Sequence, residues 1–311
     1  MYLDTHTDAF EFKQMMKSAA MDFRPRSSFA LFTFGLGSNG KTQEMEAFHA
    51  CLGDDYCTTL PILLIVETGG RDDGNGPSSF LMQLKDARAV YWEEGPQRAI
   101  INMSLFKKLV GCSRLAIREM HTAAVKGGVA IRTYNFLISN HDFIINENTE
   151  AAWRRIKVIR NLITFKSKKS FDPTNELHRL ANTEFNDSFN RREDVKTANL
   201  AILVHYHRKL MKNYGGDLDN VYAPTVDEMT NQYRNSQDKV NEFITKRMVM
   251  EMDDHLEPQS LTSVIGIYIK WYNSNVSKIT HYAADVKKNL EDSILMKYVE
   301  VFKYGTFLKK Y

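Results

Sequence analysis

Eight residues, Gly35-Leu36-Gly37-Ser38-Asn39-Gly40-Lys41-Thr42, follow an apolar run, F-A-L-F-T-F, over positions 29–34. Their pattern, G-x-x-x-x-G-K-[ST], is that of a phosphate-binding loop. Its glycines let successive backbone N–H groups curl inward toward phosphate oxygens. Lys41 would reach the β- and γ-phosphates, and the Thr42 hydroxyl would ligate Mg²⁺. A helix starting at Lys41 adds the positive end of its dipole. The competing reading is an ordinary glycine-rich turn before a helix.

Phosphate chemistry of this kind needs carboxylates: one to hold the metal, one to polarise an attacking water. Glu93 and Glu94 close the short run Ala89-Val90-Tyr91-Trp92. Acids at the C-terminal end of a parallel strand sit where ligands bind, although acids also cap strands for no chemical reason. Tyr134-Asn135-Phe136-Leu137-Ile138-Ser139 reads as another strand, ending at Asn140. An amide there could touch a γ-phosphate or the water, and could equally be a turn residue. Between Ala151 and Lys169 lie seven basic residues and no acid: Arg154, Arg155, Lys157, Arg160, Lys166, Lys168 and Lys169. One of the paired arginines could reach a neighbouring subunit's phosphate, since the guanidinium is planar and always charged. The alternative is a solvated basic face.

The elements that position these groups follow from periodicity. Residues 8–20 suit an amphipathic helix at the domain edge, with Phe12, Met15, Met16 and Ala19 on one face. Positions 29–34 read as a buried strand, and Lys41–Cys51 as the helix after the loop. Leu60–Val66 is a second apolar run, and Glu67–Ser79 is a loop rich in glycine, aspartate and proline. Asn102–Gly111 reads as a helix, and the basic, glycine-containing stretch after it as a hairpin. Residues 170–190 read as loop and Asp194–Lys212 as a helix. His205 and His207, two apart, point to different helix faces and suit surface or packing roles. The turn-rich stretch 213–224 is the expected domain boundary, and the remainder is mostly helical with a basic tail.

Composition sets the bounds. A chain of 311 residues, 43% hydrophobic and 25% charged, can build one large domain or two ordinary ones. A net charge of +3 makes no global case for nucleic acid, so such an argument must rest on local clusters. No apolar run approaches a bilayer-spanning length. The start, Met1-Tyr2-Leu3-Asp4, lacks the basic region of a signal peptide. Cys51, Cys57 and Cys112 make neither a paired framework nor a zinc set, which fits a reducing compartment.

The order of these pieces resembles the superfamily 3 helicases of the AAA+ class. It carries G-x-x-x-N-G-K-T, then W-E-E-G, then K-K-L-V-G with Arg118 beyond it, then F-L-I-S-N. The Trp92-Glu93-Glu94-Gly95 box looks like that of parvovirus replication proteins. Leu52-Gly53-Asp54, Leu84-Lys85-Asp86-Ala87-Arg88, Ser139-Asn140-His141 and Trp153-Arg154-Arg155 look closer to the poxvirus-type and phage-type primase-helicases of large DNA viruses.

The resemblance implies an α/β fold: an AAA+ P-loop NTPase core, with a parallel sheet flanked by helices, and a small, mainly α-helical C-terminal domain that is winged-helix-like. It divides the chain into an N-terminal helical stub (1–28), the ATPase domain (29–212) and the small domain (213–311). It implies an ATP-dependent DNA helicase, the helicase part of a viral primase-helicase, using ATP and Mg²⁺ at the interfaces of a homo-oligomeric ring, usually a hexamer. Residue by residue, Gly35 to Thr42 hold the phosphates, with Thr42 and Glu93 serving the metal. Glu94 serves the water and Asn140 is the sensor. Arg155, directly before the strand Ile156–Ile159, is the arginine finger, with Arg154 the close alternative. Lys108, Arg118 and Lys126 fall where the family contacts DNA, single-stranded or forked.

The family's primase domain lies upstream, so a separate primase and polymerase are expected partners, with no membrane. The expected setting is the host cytoplasm. The alternative function is a truncated, hydrolysis-weak nucleotide- and DNA-binding scaffold subunit of a replication complex. A P-loop kinase of small molecules fits less well, because W-E-E-G and the Ser139-Asn140 strand end argue against it.

Overall fold

The computed structural model describes residues 6–22, 27–67, 79–93, 95–115, 128–185, 187–249, 261–275 and 309–310. The chain forms two compact units, Met1–Tyr233 and Arg234–Tyr311. In the first, the elements run α1 (Thr7–Ala19), β1 (Ala30–Phe34), α2 (Lys41–Leu52), β2 (Cys57–Pro61), α3 (Ser79–Met82), β3 (Ala89–Glu93) and α4 (Met103–Val110). They continue through β4 (Arg114–Leu115), β5 (Val129–Ala130), β6 (Tyr134–Ser139), α5 (Glu150–Trp153), β7 (Ile156–Arg160), β8 (Thr164–Lys166) and β9 (His178–Leu180). Helices α6 (Asp187–Asn190), α7 (Glu193–Tyr214) and α8 (Pro224–Gln237) follow, the last crossing the division between units.

Five strands make the central sheet, in the order β2-β3-β6-β1-β7, and every pairing in it is parallel. A parallel sheet has to be covered on both faces, and the strand compositions fit: all of β1 is buried. One face packs Phe32, Phe34, Trp92, Leu137 and Val158 with Phe106 and Leu109 of α4. The other packs Leu31, Tyr91, Phe136 and Ile159 with α1, α2 and α7, through Met16, Phe48 and Leu203. Aromatic rings do much of this filling. Phe32 meets Phe106 edge-on at 5.7 Å, and Tyr91 stacks on Phe136 at 5.0 Å. Each such side chain contributes about 1.5–3 kcal/mol by leaving water. The α/β class with a helix-flanked parallel sheet, expected from the sequence, is the architecture observed.

The local structure adds to this reading and in places corrects it. The apolar run at Leu60–Val66 divides between two elements. The strand is β2, ending at Pro61, and Ile62–Ile65 turns into a 3-10 helix that sinks Ile62 and Ile65 into the core. Proline has no N–H for a ladder, so the strand stops there. Helix α1 is no edge helix: Lys13, Gln14, Lys17 and Ser18 are buried along with its apolar face. The span 170–190 is not all loop. It holds β9, which pairs with β8 because Thr164 N–H donates to the Leu177 carbonyl and Ala181 N–H to that of Lys166, both at 2.8 Å. The compact units divide after Tyr233. Val226, Met229 and Tyr233 of α8 belong to the cores that flank the sheet, and Tyr233 lies 5.2 Å from the Phe34 ring.

The second unit contains the rest of α8, α9 (Lys239–Arg247), β10 (Met248–Val249), α10 (Leu261–Asn275) and β11 (Lys309–Lys310). Helices α9 and α10 share a core built on Phe243, Tyr268 and Tyr272, and β10 pairs antiparallel with β11. Among the described residues no helix is long and apolar enough to cross a membrane.

Candidate active site

The parallel sheet aligns its strand ends. Phe34 of β1 is in register with Ser139 of β6 on one side and Arg160 of β7 on the other. Glu93 of β3 pairs with Ile138. The loop 35–40, Asn140 and Glu93 therefore emerge at one edge, from three adjacent strands.

The loop's shape depends on its glycines. Gly37 and Gly40 take φ of 85° and 77°, the left-handed region that costs glycine little. Gly35 is needed for space: a β-carbon there would fall 1.9 Å from Asn39 Nδ2 and 2.9 Å from the Asn161 carbonyl. Gly40 is the N-cap of α2 and offers no side-chain cap, so the first-turn N–H groups of that helix face the loop unclaimed by one. Phe165 N–H donates to the Ser38 carbonyl at 2.7 Å, bracing the loop from outside.

Lys41 is only 6% exposed. Its Nζ donates to the Gly35 carbonyl at 2.7 Å, Asn39 Oδ1 at 2.9 Å and Asn140 Oδ1 at 3.0 Å. All three acceptors are neutral. Burial, and then the charge of Lys13, pull this ammonium down to about 8. A desolvated cation with no carboxylate partner among the described residues, at the start of a 12-residue helix, suits an anionic ligand. Thr42 beside it is exposed, and Glu93 is half-buried at the end of β3. Lys41 and the N–H groups of the helix start fit a polyphosphate, and the oxygens of Thr42 and Glu93 fit a hard divalent cation. Glu94 lies outside the described residues.

Arg154 and Arg155 stand at the other edge. The Arg155 carbonyl accepts from Ala30 N–H at 2.9 Å, where β1 begins. The length of a five-residue strand, roughly 13–17 Å, separates them from the loop of the same chain. Arg154 is exposed. Arg155 donates from Nη1 to the Ala151 carbonyl, and its buried Nε has no hydrogen-bond partner. The basic run around them is not a uniformly solvated face. Lys157 pairs with Asp227 at 2.8 Å, and Arg160 forms a two-pronged pair with Asp142.

Lys108 is half-buried in the last turn of α4, next to Lys107, which pairs with Glu147 at 2.7 Å. The expected hairpin has its two arms in place as the antiparallel pair β4–β5. Arg118 and Lys126 lie outside the described residues.

Three features of the site were not read from the sequence. Glu44, one turn into α2, accepts from Lys13 at 2.5 Å and Lys17 at 2.7 Å. Burial works against the Glu44 charge, but the two lysines overcome it and hold the carboxyl down at about 2. The available signal was two lysines four apart among Phe12, Met16 and Ala19. Asn161 packs under Gly35 with both side-chain amide atoms buried and unpartnered. Arg160 lies over the Phe34 ring at 5.4 Å, and no sequence pattern marked it apart from its basic neighbours.

No family model matches the chain. Relatives do. The chain is 31% identical over 275 residues to C962R of African swine fever virus, a protein provisionally named a primase, covering 88% of this chain and 28% of that one. It is 26% identical over 272 residues to L207/L206 of Acanthamoeba polyphaga mimivirus, provisionally named a helicase, covering 85% and 27%. The chain thus spans about a quarter of the length of these curated relatives. Among solved structures, the apo NrS-1 C-terminal region (305–718) superposes with a TM-score of 0.45 at 11% identity, covering 98% of this chain and 65% of that one, a likeness too loose to carry an argument. By sequence, this chain is similar to the primase and helicase proteins of large DNA viruses.

Proposed function

We propose that the chain is the ATP-hydrolysing helicase part of a viral primase-helicase, of the AAA+ superfamily 3 type, acting on DNA as a homo-oligomeric ring, most simply a hexamer. The observation that supports this best is the contact of Lys41 Nζ with Asn140 Oδ1 at 3.0 Å. It joins the phosphate loop to the residue expected to sense the γ-phosphate.

In this reading the loop N–H groups and Lys41 grip the triphosphate, replacing the neutral acceptors that hold the lysine now. Thr42 and Glu93 would hold Mg²⁺, which supplies positive charge to the β- and γ-phosphate oxygens when bound. Glu94 orients the attacking water. Asn140 reports whether the terminal phosphate is present. Arg155, or Arg154 beside it, serves the neighbouring subunit's site. The placement of both at the sheet edge opposite the loop supports action in trans, since neither lies beside Lys41 of its own chain. Lys108, Arg118 and Lys126 contact the DNA backbone, and residues 213–311 are the small domain, mainly helical with a winged-helix-like form, after a helical stub (1–28) and the ATPase domain (29–212).

The test is the ATPase rate with and without single-stranded DNA, at concentrations that allow oligomers. DNA-stimulated turnover that Lys41→Ala abolishes is expected. Nucleotide binding without turnover would leave a scaffold subunit. DNA-independent phosphoryl transfer to a small molecule would leave a kinase.

A further inference from the structure

We propose that Arg160 is a positioning residue of this site, setting the Asn140 loop against the phosphate loop through Asp142. The inference rests on the hydrolytic reading above and adds a residue to it.

Arg160 ends β7, and Asp142 follows β6, with β1 between these two strands. Two strand spacings, roughly 10 Å, separate the backbones. The Arg160 side chain bridges that gap. It passes over the Phe34 ring, the last residue before the loop, and donates from Nη1 to Asp142 Oδ1 at 3.0 Å and from Nη2 to Oδ2 at 2.6 Å. Paired hydrogen bonds of this kind fix orientation as well as distance, which a lysine cannot do.

Residues 140–143 are thereby fastened at three points. Asn140 accepts from Lys41, Asp142 from Arg160, and the Phe143 carbonyl accepts from the Tyr233 hydroxyl at 2.8 Å. Phe143 is also packed in the core, at 5.7 Å from Phe34. The Asp142 fastening spans the mouth of β1, where the phosphate loop departs. Its partners are about one-third exposed, at 31% and 38%. A pair exposed to that degree adds little to stability, so position and stability can be tested apart. ADP lacks the phosphate that Asn140 would sense. Loss of position should therefore reach triphosphate recognition and turnover, and spare diphosphate binding.

The experiment compares wild type, Arg160→Ala, Arg160→Lys, Asp142→Asn and the Arg160→Ala/Asp142→Asn double variant. It reads melting temperature, affinity for ADP and for a non-hydrolysable ATP analogue, and DNA-stimulated kcat. Arg160→Ala should keep ADP affinity within about twofold, lose preference for the triphosphate analogue and lower kcat by roughly 10²-fold, the scale of a small misplacement. Asp142→Asn should behave alike, the double variant should be no worse than either single one, and Arg160→Lys should recover part of kcat. Unchanged turnover in Arg160→Ala overturns the inference and leaves the hydrolytic reading standing. So does a parallel fall of melting temperature, ADP affinity and kcat, which would mark a purely structural pair. A wild-type chain that binds neither nucleotide overturns both.

Discussion

Lys41 Nζ and Asn140 Oδ1 stand 3.0 Å apart, although 99 residues separate them in sequence. The pairing of β1 with β6, Phe34 opposite Ser139, brings them together. A lysine that turns to two side-chain amides and a backbone carbonyl for its partners is cheaply surrendered to a phosphate, because the amides and the carbonyl carry no charge to compete. Replacing Asn140 with alanine should therefore leave ADP binding nearly intact and lower kcat by roughly 10²-fold. Titration with a fluorescent ADP analogue, beside steady-state ATPase, separates the two effects. Equal loss of both would make Asn140 part of the grip and not of the sensing.

The Lys41 ammonium, pulled down to about 8, gives nucleotide binding a pH dependence with a definite sign. A bound polyphosphate favours the charged lysine and raises its pKa. Binding therefore takes up a proton once pH exceeds about 8. Affinity should be flat below that value, as far as Lys41 governs it, and fall as pH rises through it. Calorimetry in two buffers of different ionisation enthalpy measures the proton uptake at pH 9 directly. No uptake there would mean that Lys41 is already fully charged in the free protein.

Glu44 carries a stability prediction. Its carboxyl stands at about 2 when folded, against an ordinary 4.5. The stability it contributes is complete above the ordinary value and is lost as pH falls toward 2. Removing the charge at neutral pH takes the carboxylate away from Lys13 and Lys17, both almost fully buried. Glu44→Gln should destabilise by about 3–5 kcal/mol, the range for breaking a buried pair from one side. Urea unfolding of the variant beside Lys17→Met/Glu44→Gln checks this. The double variant should recover part of the loss.

Gly35 supplies a steric test. Alanine there needs the space that Asn39 Nδ2 and the Asn161 carbonyl now occupy. Gly35→Ala should displace Asn39, free Lys41 from one of its acceptors and abolish nucleotide binding. A change of only a few degrees in melting temperature should accompany it, because Leu36 and Ser38 of the loop face solvent and no apolar core residue is displaced. Isothermal titration with ADP is the measurement, and ordinary affinity would show that the loop can open to admit the methyl group.

What could be read from sequence was what is local. The loop, the helix it opens and the strand before it form one continuous stretch whose residue types dictate backbone shape. The class of the sheet followed from the family resemblance that the ordered motifs carry. Groups whose meaning lies across the fold were hidden. Arg160 looks like any member of its basic run until β7 is laid beside β1 and Asp142 comes within reach. Lys13 and Lys17 look like solvent-facing charges until Glu44 is set between them. The turn-rich stretch before α8 looks like a linker because glycines and aspartates serve linkers and tight connections alike. Leu218 and Ala223 of that stretch are buried in the core on one face of the sheet, which the residue types alone do not announce.

The most direct test concerns sharing of one site by two protomers. Lys41→Ala subunits cannot grip the triphosphate, and Arg154→Ala/Arg155→Ala subunits cannot supply the arginine, so each preparation alone should be inactive. Mixed at concentrations where the wild type assembles, with single-stranded DNA and Mg²⁺-ATP, they should regain a measurable fraction of turnover, because some interfaces then pair an intact Lys41 with an intact arginine. Assembled mixtures that stay as inactive as their components would contradict the shared site.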